Sequence, residues 1–101
     1  MTGLGDLGTV DIARGTGAHA TTVRAWLRGE RRPSSVHAER LGELAAVVER
    51  LAPVMRRRHI RPWLTRPSDA LGDRQPIDVI AVGDYRSVSR LISALEGSAV
   101  S

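Results

Sequence analysis

The chain has 101 residues, enough for one small domain or two modules sharing a core. Its 42% hydrophobic content includes no Phe and only Trp26, Trp63 and Tyr85 as aromatics, so Leu, Val, Ile and Ala must fill a core that favours packed helices. All fifteen cations are Arg; eleven face six acids over residues 1–62, a balance of +5, and four face five over 63–101, a balance of −1, so the first half suits a polyanion and the second does not. The absence of Cys removes disulfides, thiol catalysis and Cys-ligated zinc, and with no signal peptide or bilayer-length apolar run the expectation is a soluble cytoplasmic protein.

In chain order, Thr9 to Gly17 reads as a two-turn helix: Thr9 caps it, Asp11 suits its positive end, Ile12 and Ala13 form the buried edge and Gly17 ends it. A second short helix starts at Ala20, where Val23, Trp26 and Leu27 share one face and Gly29 is the stop. Pro33, Ser34 and Ser35 open a longer helix with an apolar stripe of Leu41, Leu44, Ala45, Val48, Leu51 and Ala52, fading near Pro53. Residues 54–62 read as a broken helix or linker. The remainder is punctuated by Pro67, Gly72, Pro76, Gly83 and Gly97, which predicts three short helices and a longer last one. Ser68 and Asp84 serve as caps, Pro76 sits in a first turn, and Val88, Leu91, Ile92 and Leu95 form the final stripe. The β-like run "IDVIAV" is too tightly bounded to be more than a helical turn or two. The predicted class is all-α, divided at 1–33, 34–62 and 63–101.

The first two helices and their glycine turn have the spacing of a helix-turn-helix. Ala13 is the small residue expected at the crossing, Ala18 plugs the gap, and Val23 and Trp26 anchor the second helix. Thr21, Arg24, Ala25 and Arg28 are expected on its outward face, in position for the major groove of DNA. Arg24 and Arg28 suit guanine or phosphate; Thr21 and Thr22, near the helix start, suit a base or phosphate; Ala25 suits a thymine methyl. Arg31 and Arg32, in the loop that follows, suit backbone phosphates. The competing reading is an amphipathic helix pair with solvated arginines. The glycine-rich start "MTGLGDLG" cannot supply the first helix of such a domain, so the C-terminal module or a second subunit is expected to take its place.

The stretch "IARGTGAHATTVRAWLRGERRP" resembles the Xre-type helix-turn-helix family. Taken with Trp63-Leu64, Pro67, Leu71-Gly72, Pro76, Ile80, Gly83, Val88 and Leu91, the chain from about Val10 to Gly97 resembles antitoxins of the Xre/MbcA/ParS group. Pro62 directly before Trp63 departs from the group's usual continuing helix. The resemblance implies a non-catalytic protein whose C-terminal helical module covers the active-site entrance of a toxin. That toxin is commonly a RES-type enzyme that consumes NAD, or an ADP-ribosylating relative. It also implies an N-terminal half that binds the shared operator, within a homodimer that is part of a larger hetero-oligomer. On this chain the expected occluding elements are Tyr85, Arg86 and the tail of Glu96, Gly97, Ser98, Ala99, Val100 and Ser101, for which a frayed terminus is the alternative. Trp63, Leu71, Val88 and Leu91 are expected in the core. The alternatives are a stand-alone repressor whose C-terminal module serves dimerisation, and an adaptor that never touches DNA.

His19, His37 and His59 lack partners at metal-ligand spacing, and Asp69, Asp73, Asp78 and Asp84 each sit where a helix start or turn wants an acid; no metal, cofactor or catalytic site is expected. Arg56, Arg57 and Arg58 are read chiefly as cations compensating a helix C-terminus, with phosphate or partner contacts as alternatives.

Overall fold

The computed structural model describes the backbone of residues 4–100 and the side chains of residues 4–97. Its helices are α1 (Thr9–Thr16), α2 (Ala20–Leu27), α3 (Ser35–Leu51), α4 (Arg57–Thr65), α5 (Pro76–Ala81) and α6 (Tyr85–Val100), with a 3-10 turn at Asp69–Leu71. Among the described residues the only β pairing is an isolated bridge between Ser68 and Arg74, so the all-α expectation holds. None of these helices is long and apolar enough to cross a membrane.

Local chemistry sets most of the boundaries. Gly8, not Thr9, occupies the N-cap of α1, because the Asp11 carboxylate reaches back to accept the Gly8 N–H at 3.1 Å. Gly17 closes α1 in the left-handed region (φ 77°), where a side chain would be strained. Buried Thr16 supports that turn by donating to the Ile12 carbonyl at 2.7 Å and accepting the Ala18 N–H. α2 ends in a Schellman pair, with Gly29 N–H donating to the Trp26 carbonyl and Glu30 N–H to the Ala25 carbonyl. α5 ends the same way through Gly83 and Asp84. Asp84 then caps α6, accepting the Ser87 N–H at 3.3 Å and the Ser87 hydroxyl at 2.7 Å.

Residues 54–62 differ from the expectation of a broken linker. α4 begins at Arg57 and runs through Pro62, burying Ile60 and Leu64. Pro62 has no N–H for the Arg58 carbonyl, but the first turn of α4 is exposed, and water can take the donor's place there. The arginine triad therefore opens a helix instead of closing one: Arg56 is the N-cap of α4, and Arg57 ion-pairs with Asp6 at 2.7 Å.

The core around α1 draws on both halves of the chain. Leu4 and Leu7, on either side of a tight turn in the glycine-rich start, are both buried against the core. α5, from the C-terminal half, packs directly on α1, and Arg14 clamps the pair through a two-pronged contact with Asp78 at 2.7 and 3.2 Å. A second cross-link joins Arg61 of α4 to buried Asp11 at 2.8 Å. Ala13 is partly buried against the core, and α1 meets α3 and α5 closely at Gly15, where a β-carbon would lie 3.0 Å from Leu44 of α3 and 3.3 Å from Ile77 of α5. One cluster, running from Leu4 to Ile92, serves both halves.

Candidate functional site

α2 is held by Val23 and Trp26, as its spacing predicted, and Trp26 also meets His37 of α3 with ring centroids 5.4 Å apart. Its buried face is nevertheless turned toward Ala25. Ala25 is 8% exposed and Leu27 44% exposed, the reverse of the expected arrangement. α2 packs against α1. Ala25 is thus withdrawn from any surface role, and the outward face is Thr21, Arg24, Leu27 and Arg28, with Thr22 half-buried at its edge.

On that face Arg24 has no acidic partner among the described residues, and the same holds for Arg31 and Arg32 in the exposed loop that follows. Arg28 is engaged by Glu30 at 2.9 and 3.3 Å. Both members are exposed, so the pair is worth no more than about 1 kcal/mol and opens readily for a competing anion. The arrangement is a solvent-facing cationic ridge on a helix set by a rigid turn, suited to polyanion contact.

At the other end of the molecule, the residues expected to act together are divided between roles. Arg86 is exposed and lines a shallow groove with Tyr85, Ser89, Arg90 and Ser93. Glu96 is committed elsewhere: Arg50 of α3 reaches across to α6 and donates to both Glu96 oxygens at 2.8 and 3.4 Å, to Ser89 at 2.6 Å and to Ser93 at 3.2 Å. The carboxylate of Glu96 drives the Arg50 guanidinium pKa upward, with Tyr85 adding to the effect, and Arg50 in turn holds Glu96 below the ordinary carboxylate range. Gly97 is exposed. The expected tail is helical backbone as far as Val100, while the side chains of Ser98, Ala99 and Val100, and all of Ser101, lie outside the described residues.

Leu71 and Val88 are buried, as expected of core positions. Trp63 and Leu91 are only half-buried. They line a cleft of about 670 Å3 between α4 and α6, together with Met55, Pro62, Pro67 and Leu95. The sequence reading missed this cleft because each apolar residue taken singly looks like core. The available signal was an excess: Met55, Trp63, Leu91 and Leu95 are more bulk than one face of a nine-residue helix covers. Among the described residues no three of His, Asp and Glu converge as metal ligands would.

Comparison with known proteins bears on both surfaces. The sequence model of the antitoxin Xre/MbcA/ParS C-terminal toxin-binding domain matches residues 56–97, from the N-cap of α4 into α6. The mycobacterial cidal antitoxins MbcA of Mycobacterium tuberculosis and Mycobacterium bovis are each 35% identical to this chain over 78 residues, covering 77% of it and 69% of their own length. A chain in the crystal structure of the M. tuberculosis MbcT–MbcA toxin–antitoxin complex superposes with a TM-score of 0.79 at 32% identity, covering 93% of this chain and 86% of that one. The chain belongs to the Xre/MbcA/ParS family and is an antitoxin of a toxin–antitoxin system, a regulator and not an enzyme.

Proposed function

We propose that this antitoxin neutralises a cognate RES-type toxin, one that consumes NAD or transfers ADP-ribose, by covering its active-site entrance with the C-terminal module. In this reading the protein acts in the cytoplasm as a homodimer within a larger hetero-oligomer, and it represses its own operon through α2. Labour is divided along the chain: residues 1–33 contact operator DNA, 34–62 connect, and 63–101 meet the toxin through Tyr85, Arg86 and the end of α6. The supporting observation is the similarity to a chain of the MbcT–MbcA complex over 93% of this chain, which includes the helices that carry the C-terminal module. Co-expression with the toxin encoded in the neighbouring reading frame tests it: cells retain NAD when both are present, and continued NAD depletion refutes the reading.

The DNA half rests on a separate observation, the unpaired exposed Arg24, Arg31 and Arg32 beside the weakly engaged Arg28. Arg24→Ala and Arg28→Ala each weaken operator binding by about 1–3 kcal/mol if they contact bases, and Arg31→Ala flattens the salt dependence instead. Unchanged binding by a folded Arg24→Ala/Arg28→Ala protein removes DNA recognition from α2.

A further inference from the structure

The geometry points to the cleft between α4 and α6 as the seat of a short segment of the partner toxin, one with bulky apolar side chains flanked by carboxylates. The inference rests on the toxin-neutralisation reading and adds to it the docking surface and the chemistry of its occupant. That surface does not include Tyr85 or Arg86, and it borders the C-terminal end of α6 at Leu95.

Three observations converge on it. The cleft is large, at about 670 Å3, within the range of ligand-holding pockets and roomy enough for more than one side chain. Its lining is the kind that anchors interfaces. Trp63 and Met55 lie half-buried beside Leu91 and Leu95, whereas the chain's other Trp, Trp26, is 6% exposed and fully used by the core. All but one of the lining residues also fall within the 56–97 segment that matches the toxin-binding family, the exception being Met55 at its border.

The charge pattern specifies the occupant. The ionisable residues lining the cleft are His59 and Arg66, with no acid among them. Arg58 abuts His59, its Nε donating to His59 Nε2 at 3.5 Å. On the same helix Arg57 and Arg61 are matched by Asp6 and Asp11, yet Arg58 and Arg66 have no ion-pair partner among the described residues. Arg58 also stands in the first turn of α4, where the helix dipole disfavours a cation. An incoming carboxylate relieves that repulsion and pairs the guanidinium at once. An apolar segment without acids would bury the floor and leave both arginines uncompensated at the rim.

The test uses the full-length antitoxin and the toxin from the neighbouring reading frame. Arg58→Glu/Arg66→Glu changes two exposed residues that make no ion pair among the described residues, and its thermal melt confirms the fold. Its toxin affinity, measured by calorimetry, is expected to fall about tenfold or more. Because the chain has no Cys, Met55→Cys introduces a single thiol at the cleft, and maleimide alkylation of that thiol is expected to slow at least tenfold in the complex. If the wild-type protein does not bind the toxin, the neutralisation reading fails and the cleft assignment with it. If it binds but neither variant shows an effect, the cleft assignment alone is overturned. Protection of the thiol without affinity loss in the charge reversal overturns the acidic occupant, and affinity loss without protection overturns the cleft. Protection that follows antitoxin concentration with no toxin present assigns the cleft to a second copy of this chain and overturns the proposal.

Discussion

Gly15 sets two opposing energies against each other at the junction of α1, α3 and α5. Replacing it with Ala gains about 1 kcal/mol of helix propensity. Against that, the new β-carbon arrives 3.0 Å from one Leu44 methyl and 3.3 Å from both the other methyl and the Ile77 γ1 carbon. Leu44 and Ile77 are both 0% exposed, so neither can swing toward water, and overpacking of a closed core costs about 1–3 kcal/mol. The steric term is expected to win. Gly15→Ala should destabilise by about 1 kcal/mol, which lowers the melting temperature of a chain this size by roughly 4–8 °C. Gly15→Val, with two more methyls, should do more damage. The assay is thermal and urea unfolding followed by circular dichroism, with Leu44→Val made in both backgrounds. Shortening Leu44 should cost less in the Gly15→Ala background than in wild type, because it removes the methyls that clash. A Gly15→Ala protein that melts at or above the wild-type temperature would refute the reasoning, since propensity would then have outweighed the contact.

Further expectations concern the elements that complete the core and brace α6. Leu7→Ala should lower the unfolding free energy by about 2–3 kcal/mol, at the low end for a buried leucine because its loop can partly collapse; a loss below about 0.5 kcal/mol would mean that the N-terminal loop adds little to the core. Asp84 and Glu96 are both held below the ordinary carboxylate range, Asp84 mainly by its hydrogen bonds from Ser87 and Glu96 mainly by Arg50. Their contribution is therefore present above the unfolded-state pKa, and is lost as pH falls from about 4 through the depressed values, so the urea midpoint should drop on acidification less steeply in Asp84→Asn/Glu96→Gln than in wild type. Arg50→Lys keeps the charge but loses the planar fork, and should speed amide exchange along residues 89–97 while leaving α1 and α2 unchanged. Equal exchange rates in α6 would show that the fork does not hold the helix.

What the sequence made legible was local. The cap at Asp84, the left-handed glycines 17, 29 and 83, and the stripe of Val88 and Ile92 each depend on residues within a few positions of one another. Features decided by distant partners were not legible. α4 was obscured because its buried face consists of Ile60 and Leu64 alone, set among arginines and interrupted by Pro62. The Arg50 fork joins residues 39 to 46 positions apart, and nothing near Arg50 announces Ser89, Ser93 or Glu96. The facing of α2 was missed because periodicity ranks Leu27 above Ala25 for burial, whereas the packed structure buries Ala25 and leaves Leu27 exposed. The family motif, by contrast, was readable because the breakers Pro67, Gly72, Pro76 and Gly83 punctuate its apolar positions at fixed spacing along the chain.

The proposed division of labour therefore does not coincide with a division of folding. α1 packs against α2, yet it also packs against α3 and α5, and its N-terminus is tied through Asp11 to α4. The core cluster that holds Ile12 draws on both halves of the chain, Leu4 and Leu7 from one and Ile77 from the other, and Ile77 and Leu44 lie over Gly15. The elements that brace α1 include α4, which also lines the cleft. The same helix, α4, presents Trp63 and Arg66 to the cleft and Arg61 to the cap of α1. α1, against which α2 packs, is itself held by α5 and, through Asp11, by α4, so the placement of α2 depends on the C-terminal half.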